Sequence, residues 1–211
     1  MLEQAAVDEI LEILAQLYPN PTTELEHETP FQLLIATILS AQCTDQRVNI
    51  ITRKLFADHP TVESLEQLSI QEIESYIRTA GLWQTKAKNI KRTCEILIDN
   101  YNGEVPRTRE ELMKLPGVGR KTANVVLANA FNVPAFPVDT HVHRVANRLG
   151  LAASSNPNQT EEQLTALIPE EYWKDAHHWL ILHGRRVCSA RKPNCEECPL
   201  AHLCQTAFTH Q

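Results

Sequence analysis

The sequence lacks the marks of a membrane, secreted or disordered protein. Among its 211 residues no apolar run approaches the ~20 residues that span a membrane. The acidic N-terminus has neither the basic start nor the apolar middle of a signal peptide. With 43% hydrophobic and 22% charged residues, and no low-complexity linker, the chain has enough apolar side chains to bury a core. We therefore expect a folded cytoplasmic protein with no membrane partner.

Basic residues are absent from the start of the chain. The net charge is −6, and residues 1–30 hold seven acidic residues and no Lys or Arg. An acidic balance argues against a nucleic-acid partner, which needs cations facing phosphate. Residues 31–211, however, hold 20 basic and 19 acidic residues. They contain three basic clusters, which we expect on one side of the molecule: Lys86, Lys88, Lys91 and Arg92; Arg120 and Lys121; Arg185, Arg186, Arg191 and Lys192.

Strand patterns are missing as well, because the nearest candidate, 133–138, contains two prolines. Helical patterns recur instead. The apolar stripe that starts at Phe31 predicts a helix with Thr29 as N-cap and Pro30 at its first position. Further helices are predicted at 7–17, 47–57, 62–68, 70–79, 85–100, 108–115, 120–131, 140–149, 160–167 and 172–186. Four capping boxes are predicted, at Thr29–Gln32, Ser69–Glu72, Thr108–Glu111 and Thr160–Gln163. The fold class is all-α.

Four of the six cysteines stand close together. They follow the spacing Cys188-x6-Cys195-x2-Cys198-x5-Cys204, which favours a metal site over disulfides in a cytoplasmic chain. Zinc and an iron–sulfur cluster both accept four thiolates, and the spacing alone leaves the two open.

A glycine-rich turn, 115–121, lies between two helical patterns. Gly117 and Gly119 allow a tight turn and a close backbone approach. It is not a Walker loop, since Arg120 separates Gly119 from Lys121. A helix–hairpin–helix that holds a backbone phosphate at the N-terminus of its second helix explains the pattern better.

Two side chains near this turn have the right chemistry for catalysis. Lys121 lies in the first turn of a helix, where the helix dipole, and any partial burial, lower the pKa of an amine and favour a nucleophile. Asp139 stands at an N-cap position, where a carboxylate is also suited to proton transfer and to stabilising positive charge on a sugar. A phosphate-binding lysine and a plain cap are the structural alternatives.

Together these motifs resemble the endonuclease III family of the helix–hairpin–helix superfamily. The resemblance rests on 115–121, on 138–141 and on the cysteine spacing, and it extends to 39–45 and 177–185. It implies two all-α domains with the active site in the cleft between them. One is a six-helix domain, 23–134, with the helix–hairpin–helix at about 108–131. The other combines 1–22 with 135–211 and carries a 4Fe–4S cluster at 188–204.

The resemblance also implies roles for individual residues. Lys121 matches the amine nucleophile and Asp139 the catalytic carboxylate, while Cys188, Cys195, Cys198 and Cys204 match the cluster ligands. Gln42 and Leu82 match residues that enter the gap left by an extruded base. The remaining implied DNA contacts are Gly117, Val118, Gly119, Arg120, His141, Arg144, Arg191 and Lys192.

The implied activity is base excision repair. A DNA glycosylase of this kind removes oxidised pyrimidines of the thymine glycol type and cleaves the abasic strand by β-elimination through a lysine Schiff base. The expected partner is double-stranded DNA with oxidised pyrimidines or abasic sites, bound by a monomer near the nucleoid. The alternatives are a glycosylase of the same superfamily for mismatches or other bases, and a non-catalytic helix–hairpin–helix DNA-binding iron–sulfur protein.

Overall fold

All regular structure in the described part of the chain is helical. The computed structural model describes residues 2–207 and residue 209, and these form eleven α-helices and one 3-10 turn, with no strand. The α-helices are α1 Gln4–Leu17, α2 Pro30–Ser40, α3 Asp45–Asp58, α4 Val62–Glu66, α5 Ile70–Ile77, α6 Trp83–Tyr101, α7 Arg109–Leu112, α8 Arg120–Ala130, α9 Thr140–Leu149, α10 Pro157–Leu167 and α11 Trp173–Arg186; the 3-10 turn is Glu170–Tyr172. The all-α prediction is confirmed.

The chain divides into two compact units. One comprises Thr23–Val133, and the other joins Met1–Thr22 to Pro134–Gln211. Among the described helices, none is long and apolar enough to cross a membrane.

The unit Thr23–Val133 is built around α2. Every residue of α2 from Phe31 to Leu39 is buried, because α3, α6 and α8 pack against it. Helices α4 and α5 pack on α6, and α7 packs on α8. The long helix α6 therefore links the glycine turn to the outer helices, which fixes the hairpin relative to the core of this unit.

The other unit has one apolar core shared by α1, α9 and α11. Helix α1 contributes a stripe at helical spacing, Val7, Ile10, Leu11 and Leu14, all buried. The segment 133–138, the nearest candidate for a strand, is irregular, and its Phe136 is fully buried in this core. The N-terminal helix and the region after residue 134 thus form one hydrophobic cluster.

Helix starts follow the predicted capping chemistry at three of the four boxes. Ser69 and Glu72 form the complete box, with each side chain bonded to the other residue's backbone N–H. Thr29 accepts from the Gln32 N–H as predicted, but the Gln32 side chain accepts from the Glu28 N–H instead of completing the box. Thr108 accepts from the Glu111 N–H and donates to the Glu111 carboxylate.

The fourth predicted box is wrong. Helix α10 starts at Pro157, three residues earlier than Thr160, because the Asn156 side chain accepts from the Gln159 N–H and caps it. Thr160 is buried inside the helix, and the Gln163 side chain accepts from the Ala153 N–H. The Asn-Pro pair at 156–157 satisfies the helix start better, since proline suits the first helical position.

The shared core gives a direct test of the place of α1. Leu14 is fully buried whereas Leu17, three residues later on the same helix, is 38% exposed. We expect Leu14→Ala to lower the free energy of unfolding by about 2–5 kcal/mol, because it leaves a cavity. Leu17→Ala should change it by less than about 0.5 kcal/mol. Urea unfolding of both variants measures the difference, and equal stabilities would contradict the packing described.

Candidate active site and cysteine cluster

The glycine turn is a tight hairpin anchored to α6. Gly117 has φ +79°, a left-handed conformation that favours glycine, and a Cβ there would lie 2.9 Å from the side-chain Nδ2 of Asn89. The Thr93 hydroxyl donates to the Pro116 carbonyl at 3.3 Å, and the N–H of the buried Val118 donates to the Leu115 carbonyl at 3.1 Å. Helix α6 therefore anchors the hairpin through the hydrogen bond of Thr93 to Pro116.

The N-terminus of α8 carries no side-chain cap. Gly119 is its N-cap residue, with φ −93° in the extended region, and a Cβ at this position would meet nothing within 4 Å. Glycine is therefore not required here by the local fold. Its small size leaves open space beside the first backbone N–H groups of α8, where an anion is favoured by the helix dipole.

The two cations that follow the hairpin differ in exposure. Arg120 is half-buried, and Lys121 is exposed in the first turn of α8. The partial burial considered for Lys121 is therefore not observed. An exposed amine at the rim of an anion site is accessible to a large substrate.

Asp139 is the N-cap of α9, as the sequence predicts. Its Oδ1 accepts from the N–H groups of His141 and Val142, both at 2.8 Å. The side chain is half-buried. Both bonds use the same carboxylate oxygen, so Oδ2 takes no part in the cap. One oxygen fixes the orientation of the carboxylate, and the other is the one suited to proton transfer.

His141 and Arg144 lie one turn further along α9. Arg144 donates to the carbonyl of Gly184 at 2.9 Å and to that of Cys188 at 3.0 Å. Its guanidinium is 3.2 Å from His141 Nδ1, and burial lowers the pKa of His141. The structure thus uses Arg144 to hold the end of α11, and the DNA contacts of both residues stay predictions.

The four clustered cysteines border a single cavity after α11. None of the four forms a disulfide, all are half-buried, and they share the cavity with Arg148 and His183. Zinc needs its sulfur ligands about 2.3 Å from one centre. Among the described residues no three Cys, His, Asp or Glu side chains converge closely enough to hold one metal ion. Four thiols lining one cavity are the donor set that a 4Fe–4S cluster needs.

Polar groups surround these thiols, and the sequence did not reveal them. Cys198 Sγ lies 3.5 Å from His183 Nε2, and His183 Nδ1 lies 3.2 Å from the Tyr18 hydroxyl. Burial lowers the pKa of His183 to about 4, so the ring is neutral. Arg148 lies 3.4 Å from Cys188 Sγ and donates to the Ser189 carbonyl at 2.7 Å. Tyr18 is far away in the sequence, and no local pattern indicated it.

The loop between Cys188 and Cys195 presents two exposed cations, Arg191 and Lys192. Ser189 shapes the loop, because its hydroxyl donates to the Lys192 carbonyl at 2.5 Å and accepts from the Lys192 N–H. Arg148 also donates to the Ala190 carbonyl at 2.8 Å. These bonds fix the backbone and leave both cationic side chains on the surface.

Gln42 and Leu82 occupy two neighbouring loops of the unit Thr23–Val133. Both have left-handed backbones, with φ 54° and 57°, and both are exposed. A Cβ on Gly81 would lie 2.9 Å from the Gln42 carbonyl oxygen, so the loops touch. The structure brings this predicted pair together.

The basic run in α6 is not the cationic surface that the sequence suggested. Lys86 is 4% exposed and points into the core. Lys91 pairs with Glu66 at 2.8 Å and Arg92 with Glu95 at 2.8 Å. Residues 86, 91 and 92 fall on different sides of one helix because its period is 3.6 residues. The expectation that the whole run shares one side with the other basic clusters is therefore wrong, because Lys86 is buried.

Comparison with known proteins identifies the family. The family model of the HhH-GPD superfamily base excision DNA repair proteins matches residues 35–170, and that of the iron-sulfur binding domain of endonuclease III matches residues 188–204. Endonuclease III of Rickettsia conorii is 49% identical over 98% of this chain and 99% of its own length.

Solved structures agree with this relationship. A trapped endonuclease III–DNA covalent intermediate superposes with a TM-score of 0.95 at 48% identity, covering 99% of both chains. A thermostable thymine-DNA glycosylase is more distant, with a TM-score of 0.88 at 27% identity over 97% of this chain and 98% of its own. The chain belongs to the endonuclease III family of HhH-GPD base excision DNA repair proteins, and it carries the iron–sulfur binding domain of that family.

Proposed function

We propose that this protein excises oxidised pyrimidines of the thymine glycol type from double-stranded DNA, with Lys121 as the nucleophile of both of its reactions. Its family makes it a base excision repair DNA glycosylase with AP lyase activity and a 4Fe–4S cluster. The observation that carries the residue assignment is the exposed amine of Lys121 in the first turn of the uncapped helix α8. A related endonuclease III is known as a trapped covalent intermediate with DNA, which supports a nucleophile of this kind.

DNA binding uses the hairpin and the cationic loop. The backbone N–H groups that begin α8, with the hairpin residues Gly117, Val118 and Gly119 and the side chain of Arg120, hold a phosphate. Arg191 and Lys192 contribute further cations. Gln42 and Leu82 enter the gap that an extruded base leaves, and damage lowers the few kcal/mol that extrusion costs by weakening stacking or pairing. Exposed Leu82 suits this, since apolar side chains insert between bases.

The chemistry follows from the amine and the carboxylate. The neutral amine of Lys121 attacks the sugar C1′, a C–N bond forms, and the bond from C1′ to the base breaks as the base leaves with a proton. The sugar ring opens to a Schiff base. Loss of a proton from C2′ then breaks the C3′–O bond and cleaves the strand, and water releases the enzyme. Asp139 stabilises positive charge on the sugar and assists these proton transfers.

The four cysteines shape the protein. Cys188, Cys195, Cys198 and Cys204 hold the cluster, which when bound ties the C-terminal segment together. This keeps the loop of Arg191 and Lys192 in place, and no step of the reaction requires electron transfer.

A DNA substrate places the protein in the cytoplasm, at the nucleoid. We propose that it acts there as a monomer. The two compact units, Thr23–Val133 and the joined terminal segments, serve as the two domains of the enzyme.

A borohydride trap tests the function and the nucleophile together. We expect the protein to cleave duplexes with thymine glycol or an abasic site, in preference to those with 8-oxoguanine or a G·T mismatch, and to be trapped on them by reduction of the Schiff base. Lys121→Ala should show no trapped complex, whereas Lys54→Ala, which removes an exposed lysine of the same unit, should be trapped as the native protein is. Equal trapping of Lys121→Ala would overturn the assignment, and cleavage at G·T sites alone would overturn the substrate class.

The two roles of Asp139 are separable by one substitution. Asparagine is as good an N-cap as aspartate, so Asp139→Asn should retain the stability of the native protein within about 0.5 kcal/mol. It lacks the carboxylate, so kcat should fall about 10²–10⁴-fold. Asp139→Ala should lose both the activity and about 0.5–2 kcal/mol of stability. Full activity in a stable Asp139→Asn protein would show that the residue is a cap alone.

A further inference from the structure

Lys86 carries its charge into the interior of the unit Thr23–Val133. It is 4% exposed, and its ammonium donates to the carbonyl oxygens of Leu39 at 2.8 Å and Ala41 at 2.6 Å. Burial lowers the pKa of Lys86, and the nearby Cys43 thiol acts in the opposite direction. The carbonyls lie at the C-terminal end of α2, where the helix dipole is negative. The cation therefore serves as a C-terminal cap supplied by a different helix.

The backbone of the same residue makes a second link. The Lys86 N–H donates to the Leu82 carbonyl at 3.0 Å, which is the hydrogen bond that begins α6. Its side chain is bonded to Ala41, the residue directly before Gln42. One residue thus joins the loop of Leu82 to the loop of Gln42. The close approach of Gly81 to the Gln42 carbonyl shows that the loops are packed together.

Both loops need such support. Gln42 and Leu82 have positive φ values, a conformation that residues with a Cβ rarely adopt and that persists only where the surroundings fix it. Neither side chain is buried, and Leu82 is 58% exposed, so side-chain packing in a core does not provide the constraint. The hydrogen bonds to Lys86 act on the backbone at both loops.

We propose that Lys86 is a positioning residue for base extrusion, holding the backbones at Gln42 and Leu82 so that both side chains enter the gap in the base stack together. This inference rests on the proposed function, because it assumes that these two side chains fill that gap. Lys86 itself is buried and does not touch DNA. Its loss should therefore impair extrusion and leave the binding of undamaged duplex unchanged.

The substitution Lys86→Met removes the ammonium and retains an unbranched apolar stem. The carbonyls of Leu39 and Ala41 then lose their donor, so the side-chain link from α6 to the loop of Gln42 is lost while the backbone bond to Leu82 remains. Because a misplacement of about 1 Å costs roughly 10²-fold in rate, we expect kcat on thymine glycol duplex to fall about 10- to 100-fold with little change in KM. The matched control is Lys54→Met, which removes the same charge from an exposed site of the same unit.

Extrusion is measured by the fluorescence of 2-aminopurine placed opposite a tetrahydrofuran abasic analogue in a duplex. The affinity for undamaged duplex and the thermal unfolding of each variant are recorded as controls. The native protein and Lys54→Met should unstack the 2-aminopurine and raise its fluorescence. Lys86→Met should bind undamaged duplex with native affinity and give a reduced rise. If Lys86→Met does not fold, Lys86→Gln, which retains a donor without the charge, is measured in the same way and should also give a reduced rise.

If Lys86→Met raises the 2-aminopurine fluorescence as much as Lys54→Met does, the positioning role is overturned. The same holds for Lys86→Gln where it replaces Lys86→Met. No rise with the native protein would overturn it too, because the two side chains would then not fill the gap. Cleavage of thymine glycol duplex by the native protein is the separate test of the proposed function. Its absence would overturn that function, while the fluorescence comparison would still decide the role of Lys86.

Discussion

An α-helix leaves four backbone N–H groups unsatisfied at its start and four carbonyls at its end, and an all-helical protein has to provide for every one of them. Short side chains do this at most helix starts here, as Ser69 does for α5 and Asn156 for α10. The residues proposed for function lie at helix ends that are satisfied in three different ways. Helix α8 has no side-chain cap, α9 is capped by a carboxylate, and α2 is closed by the ammonium of Lys86 from another helix.

This constraint explains why structural and chemical roles coincide in single residues. Asp139 caps α9 through one carboxylate oxygen, and this cap also orients the carboxylate. No second residue is needed to position it. Lys86 closes α2 and in doing so fixes the loops of Gln42 and Leu82. The uncapped end of α8 is the converse case, because in the proposed function a phosphate of the substrate satisfies the N–H groups there.

Features that depend on a short stretch of sequence could be predicted. The helical stripes, the caps at Thr29 and Ser69 and the role of Asp139 as a cap each involve neighbours within a few residues. The box at Thr160 failed for a local reason, since Asn156 and Pro157 begin α10 three residues earlier, and the other failures depended on tertiary packing. The basic run of α6 was misjudged because packing decides which face of a helix is buried, and the contact of His183 with Tyr18 joins residues 165 positions apart. The cluster type needed the family resemblance, since the cysteine spacing alone left zinc open.

In the proposed function, the uncapped N-terminus of α8 is the phosphate site on which the lysine chemistry depends. Amide ¹H–¹⁵N chemical shifts, recorded with and without a duplex that carries a tetrahydrofuran abasic analogue, test it directly. We expect large shifts for the backbone N–H groups of residues 119–122 and small ones at Val142, whose N–H is already bonded to Asp139. Unchanged shifts at residues 119–122 in a protein saturated with this duplex would contradict it.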